Sequence, residues 1–207
     1  LDDLAKSTYP IYKFAAAHGL RGILPVNMQN VGTSAMSIEQ IKELEGLGFD
    51  VVDHTYSHVD LTGADYATCF EEMRKNKEAI IAAGLKWIPI FNYPGGHYSS
   101  AVIQAAKDNG YKIGRAAGLG VSRIVPPYGI DSPWALSSKD VGGITLDAAK
   151  VFIQSLSADE MSSIGLVFGH QPILGNPASN AAAPANTLYW WEGWWREFVK
   201  YAGGYIG

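Results

Sequence analysis

Short apolar runs alternate along the chain with longer stretches in which apolar residues recur every three or four positions. The runs RGILPV (21–26), DVVDH (50–54), WIPIFNY (87–93), YKIGRA (111–116) and IGLVFGH (164–170) have the length and the β-branched or aromatic content of strands. Between them the pattern predicts helices. One covers residues 9–18 and stops at Gly19, and the next runs from a capping box of Ser37 and Gln40 to Gly48. Others are predicted over 64–84, ending at Gly84, and over 98–109, 145–157 and 188–202. Strands and helices in strict alternation predict a parallel sheet with crossover helices. The chain has no fixed-period repeat, and its one low-complexity segment, NPASNAAAPAN (176–186), has the composition of a mobile loop. With 207 residues and 47% hydrophobic content, the expectation is one domain over residues 1–207.

Composition narrows the possible partners. Lys and Arg number 16 against 20 Asp and Glu, for a net charge of -4, so nucleic acid is not an expected partner. The single cysteine, Cys69, has no internal disulfide partner and leaves the compartment open. No apolar run reaches the roughly 18 to 20 residues of a membrane span, and no signal-like segment opens the sequence. Six Trp and eleven Tyr suit a protein that stacks on sugar rings, and equally a large core. Most of the cluster YWWEGWW (189–195) has the spacing of one packed helical face.

The polar residues able to do chemistry follow the strand-like runs. His54 and His58 come after DVV, Pro94, Gly95 and Gly96 after WIPIFNY, and His170 after GLVF. In parallel α/β folds the carboxyl ends of strands carry the site, so these residues are expected to converge. A zinc-type hydrolytic site takes about three protein ligands and keeps one position for water. His54 and His58 offer two, and the third is sought among carboxylates. If Leu1 is the tail of a strand truncated at its N-terminus, Asp2 and Asp3 stand at a strand end, one to ligate and one to take a proton from water. Plainer readings stand beside these: His-x-x-x-His also occurs on ordinary surfaces, two aspartates suit a helix N-terminus, and His170 could be a core histidine. His18, ahead of Gly19, suits a helix C-terminus.

Taken together, LDD (1–3), HTYSH (54–58), FNYPGG (91–96) and LVFGH (166–170) resemble, in order and over essentially the whole chain, the motifs of the NodB-homology polysaccharide deacetylases, carbohydrate esterase family 4. The resemblance implies a distorted (β/α) barrel that removes acetyl groups, N-acetyl first, from an acetylated glycan with one divalent ion, Zn foremost and Co, Ni or Mn as alternatives. Asp3, His54 and His58 would hold the metal, Asp2 would be the general base, His170 would protonate the leaving amine, and the backbone N–H of Gly95 would face the oxyanion. Asn92 stands where the family's third motif usually has Arg, and Arg115 is the expected substitute for that charge. Gly95 replaces an aromatic residue, and DSPW (131–134) only faintly echoes the fourth motif. RIVPPYG (123–129) also spells the third motif, but it lies one strand-helix unit too late. Tyr93, Pro94, Gly96, His97 and Trp134 are the expected substrate contacts, with Tyr98 as a further ring. The substrate class points to an extracellular or cell-surface setting. O-acetyl ester hydrolysis, or a carbohydrate-binding module that kept the fold, are the alternatives.

Overall fold

Four parallel strands, hydrogen-bonded in chain order, make the central sheet of the computed structural model: β1 (Ile23–Val26), β2 (Asp50–Asp53), β3 (Trp87–Asn92) and β4 (Ile113–Arg115). The structure describes residues 2–117 throughout, then short segments at 122–125, 129–130, 133–136, 138–140, 147–148, 150–151, 154, 163–164, 167–168 and 199–200. Each central strand falls inside a run expected from the sequence. Their register aligns the carboxyl ends, with Val26 beside Asp53, Asp53 beside Phe91, and Asn92 beside Arg115. His54, Asn92 and Arg115 therefore share one edge of the sheet.

Helix α1 (Tyr9–Ala17) precedes β1, and α2 (Ile38–Gly46), α3 (Tyr66–Ala82) and α4 (Ser100–Asp108) connect the strands. Three of them start on side-chain caps, which satisfy backbone donors that the first turn leaves open. The Ser37 hydroxyl accepts from Gln40 N–H at 3.3 Å while Gln40 Oε1 accepts from Ser37 N–H at 2.9 Å, the expected capping box. Asp65 accepts from Thr68 N–H at 2.8 Å, and Ser99 from Val102 N–H at 3.4 Å. Two apolar clusters hold these helices to the sheet. One joins Tyr12, Ile41, Leu44 and Ile80 to Leu24, Val26 and Val51, and the other joins Cys69, Met73, Val102 and Ala105 to Phe91, Tyr93 and Tyr111. Val51 and Val52 are both fully buried, as a central parallel strand covered on both faces requires.

Beyond β4 the described residues include 147–148, 150–151 and 154, all helical within the helix expected over 145–157, and short strands that add to the expected alternation. Residues 133–136 lie along β4, where Pro133 O accepts from Gly114 N–H at 2.8 Å and Leu136 O from Ala116 N–H at 2.8 Å. Strand β5 (Ser122–Val125) is antiparallel to β6 (Gly129–Ile130) and to β8 (Ser163–Ile164), whereas β7 (Lys139–Asp140) runs parallel to β9 (Val167–Phe168). The single strand expected over 164–170 is thus two short strands with different partners. Two-residue strands carry too little periodicity to be read from sequence. The segment 176–186 and His170 lie outside the described residues, as do most of 145–157 and 188–202. Among the described residues, no helix is long and apolar enough to cross a membrane.

Candidate metal centre

Asp2 and Asp3 leave the backbone in different directions because the chain turns between them. Residues Asp2–Leu4 form a 3-10 turn rather than a strand end, with Asp3 at φ 64° and Leu4 at φ 46°. Met36 N–H holds the turn by donating to Leu4 O at 2.9 Å. Asp2 is buried and Asp3 is half-buried. One carboxylate is directed to Arg115 and the other to the histidines.

The two imidazoles come from the bend that follows β2. His54 N–H donates to Val26 O at 3.1 Å, which continues the sheet by one residue. The chain then takes left-handed backbone at Thr55 (φ 60°) and again at His58 (φ 62°). For a β-branched residue this conformation is unusual, and such strain, about 1–3 kcal/mol per residue, persists only where neighbours impose it. Here two carboxylates do so. Asp53 Oδ1 accepts from Thr55 N–H at 2.8 Å, and Glu72 Oε2 accepts from the N–H and hydroxyl of Ser57 at 2.9 and 3.0 Å.

The bend brings the rings of His54 and His58 to 4.8 Å between centroids, with Asp3 between them. Asp3 Oδ1 lies 3.4 Å from His54 Nε2 and 2.8 Å from His58 Nε2. His54 Nδ1 is 2.7 Å from Asn92 O; a carbonyl can only accept, so Nδ1 carries the proton and Nε2 presents its lone pair to Asp3. Asn92 Nδ2 also lies 3.0 Å from that nitrogen and 3.4 Å from Asp2 Oδ1, where it donates to the carboxylate.

Asp3, His54 and His58 could together hold a divalent cation after small side-chain shifts. Ligand atoms about 2 Å from one cation stand about 3–3.5 Å apart, and the three here all lie within 4.8 Å of one another. Asp3 Oδ1 and His54 Nε2 are shielded from water, and neither takes part in a hydrogen bond of good geometry. Two shielded acceptors facing each other without a donor are unfavourable unless a cation lies between them. The electrostatics agree. Burial pushes the Asp3 carboxyl up, but the close approach of the His54 and His58 imidazoles outweighs it and holds the group well below the usual carboxylate range. The Asp3 carboxylate, 2.8 Å from Nε2, in turn raises the His58 imidazole. The Asp3 carboxylate is therefore ionised throughout the ordinary pH range, as a metal ligand would have to be.

Asp2 sits beside this cluster under different control. Arg115 Nη1 donates to Asp2 Oδ2 at 2.8 Å and also to Asn92 Oδ1, while Arg115 Nε donates to Ser138 Oγ at 2.9 Å. Ser138 is in turn fixed by donating to Ala116 O at 2.6 Å. Burial raises the Asp2 carboxyl, but the guanidinium and then His54 outweigh it and leave the group below its ordinary value. Asp53 goes the other way. Completely buried, its carboxyl is pushed up to about 7 despite hydrogen bonds from Tyr111, Asn76 and Thr55.

The remaining predicted residues surround the end of β3. Pro94–Gly96 form a 3-10 turn with Gly95 at φ 64° and its surface exposed, and a Cβ on Gly96 would collide with Ala117. Tyr93, expected to face substrate, is 1% exposed, and its hydroxyl donates to Trp134 O at 3.0 Å. His97 is exposed and lies 3.3 Å from Asp60 Oδ2; Tyr98 is exposed against Tyr93, and Trp134 is half-buried. Ser138, Asp53, Glu72 and Tyr111 were not singled out from the sequence. Only Asp53 left a signal there, as a charge ending an apolar strand.

Parallel strands covered by helices, with an aspartate and two histidines gathered beside the strand ends, define an α/β protein whose cluster could hold a metal ion. The chain belongs to the polysaccharide deacetylase family, whose pattern matches residues 1–114. It is 26% identical over 113 residues to YxkH of Bacillus subtilis (strain 168), a protein named for polysaccharide deacetylation, and that match covers 54% of this chain and 39% of YxkH. The chain thus spans about two fifths of that relative. Among solved structures it is similar to the family 4 carbohydrate esterase from Streptomyces lividans in complex with acetate, with a TM-score of 0.57, 18% identity, and 95% of this chain and 83% of that one covered. It is also similar to Streptococcus pyogenes deacetylase PplD in complex with acetate, with a TM-score of 0.58, 21% identity, and coverage of 65% and 59%. At such identities the likeness speaks for the fold, a distorted (β/α) barrel. The sheet β1–β4 is part of it and remains open among the described residues.

Proposed function

We propose that residues 1–207 form one catalytic domain that hydrolyses acetyl groups, N-acetyl in particular, from a polysaccharide or oligosaccharide with the help of one divalent cation. The observation that carries this reading is the meeting of Asp3, His54 and His58 within 4.8 Å. Family membership and the acetate named with two similar structures support it.

Asp3, His54 and His58 would hold the ion, Zn first and Co, Ni or Mn as alternatives for such N and O ligands. When bound, a divalent cation supplies a Lewis acid that acidifies water and polarises a carbonyl oxygen. The remaining work falls to the chain itself. Asp2, kept ionised by Arg115, takes the proton of the attacking water at its carboxylate. Arg115 and Asn92 fix where that carboxylate points. The N–H of Gly95, an exposed residue, donates to the substrate carbonyl oxygen as negative charge develops, an interaction whose loss commonly costs about 3–4 kcal/mol. His170 gives a proton to the departing amine nitrogen. His97, Tyr98 and Trp134 line the approach for the sugar.

Acetate release from N- and O-acetylated oligosaccharides tests this reading. Protein supplied with Zn or Co is expected to release acetate from the N-acetylated substrate, to stop on chelation and to resume when metal returns. His170→Ala is expected to lose turnover and keep its metal. Release from the O-acetylated substrate alone would make the protein an esterase, and retention of metal and oligosaccharide with no acetate would make it a binding module.

A further inference from the structure

The carboxylate of Asp53 has no part in the chemistry above, yet it lies fully buried at the end of β2, next in sequence to His54. Tyr111 Oη donates to its Oδ2 at 2.6 Å, and Thr55 N–H donates to its Oδ1 at 2.8 Å. Asn76, which also hydrogen-bonds Asp53, clamps the end of β1 by donating to Val26 O at 2.7 Å and accepting from Met28 N–H at 2.8 Å. An acidic group in a buried strand is unfavourable compared with the valine that would extend the run of Val51 and Val52. Its partners show what it does. Oδ1 holds the first peptide N–H after His54, at a residue whose φ of 60° an unsupported threonine rarely adopts. Glu72 holds Ser57 in the same way, so the backbone linking the two imidazoles is tied at both ends.

We propose that Asp53 is a positioning residue: through the Thr55 N–H it fixes the bend that aims His54 and His58 at a shared cation. The proposal rests on the metal reading above and extends it to a residue that touches neither ligand's ring. Outer-sphere hydrogen bonds of this kind commonly change metal affinity by about 10- to 100-fold when lost.

The test is titration of the whole chain with Zn and Co against a competing chelator, together with the absorption spectrum of the Co-loaded protein. Asp53→Asn keeps an oxygen for the Thr55 N–H and is expected to bind close to wild type. Asp53→Ala is expected to bind about 10- to 100-fold more weakly, with an altered Co spectrum. If that variant does not fold, the double variant Asp53→Val/Tyr111→Phe decides, because removing both partners leaves no hydroxyl buried without an acceptor. Ile80→Ala, which truncates the core packed against α2, supplies a destabilised control expected to keep full affinity. Wild-type affinity in the folded Asp53→Ala or double variant, or an equal loss in Ile80→Ala, would overturn the positioning role. Failure of the wild-type protein to bind either ion would instead overturn the metal reading itself.

Discussion

His54→Ala protein folds but no longer retains a divalent cation: affinity for Zn or Co falls by more than about 100-fold, beyond the usual effect of losing an outer-sphere partner, and acetate release falls with it. The ring is 1% exposed, its Nδ1 is committed to Asn92 O, and its Nε2 is the atom set toward Asp3. No neighbouring side chain takes over that position. The fold should survive because the loss is a small buried cavity and one hydrogen bond to a carbonyl, together about 2–4 kcal/mol. Chelator competition measures the affinity, and a thermal melt with circular dichroism confirms that the variant is folded. Unchanged affinity in a folded variant would remove His54 from the site.

Arg115→Met has its largest effect on stability. The ion pair with Asp2 is buried, with side chains 6% and 8% exposed, and the same guanidinium serves Asn92 and Ser138. Breaking a buried pair by removing one partner costs about 3–5 kcal/mol, which for a chain of this size lowers Tm by roughly 6–20 °C. Activity is expected to fall further than the folded fraction, since Asp2 loses both its orientation and the charge that keeps it ionised. Arg115→Lys restores the charge without the planar fork and should recover stability only in part. Thermal melts of the three proteins, with acetate release measured at a temperature where all are folded, check this. An unchanged Tm in Arg115→Met would show that the pair does not hold the site together.

The first half of the fold is legible in the sequence because β1–β4 and α1–α4 carry their own signals: apolar runs of strand length, helical periodicity, glycine stops and the capping box at Ser37. The candidate ligands are legible as well, since the spacing of His54 and His58 and the aspartate pair are chemical patterns in their own right. Relations set by register are harder to see. Asp2 and Arg115 are 113 residues apart and meet only because the third and fourth strands align at Asn92 and Arg115. Asp53 and Asn92 belong to apolar strands whose pattern identifies the strand without revealing which polar member turns toward the site. Tyr93 shows the opposite difficulty. It follows a strand as a loop residue would, yet it is buried because glycine at 114, on the neighbouring strand, leaves room for its ring; a Cβ there would collide with the Tyr93 hydroxyl. The antiparallel pairing of β5 with β8 depends on a partner distant in sequence and leaves no local trace.

The most direct measurement is diffraction from zinc-soaked crystals on both sides of the zinc absorption edge. The expected result is one anomalous peak within bonding distance of Asp3, His54 and His58. A map with no peak between those three side chains while they stand as described, or with its zinc peak held by other residues, would contradict a shared cation at this site.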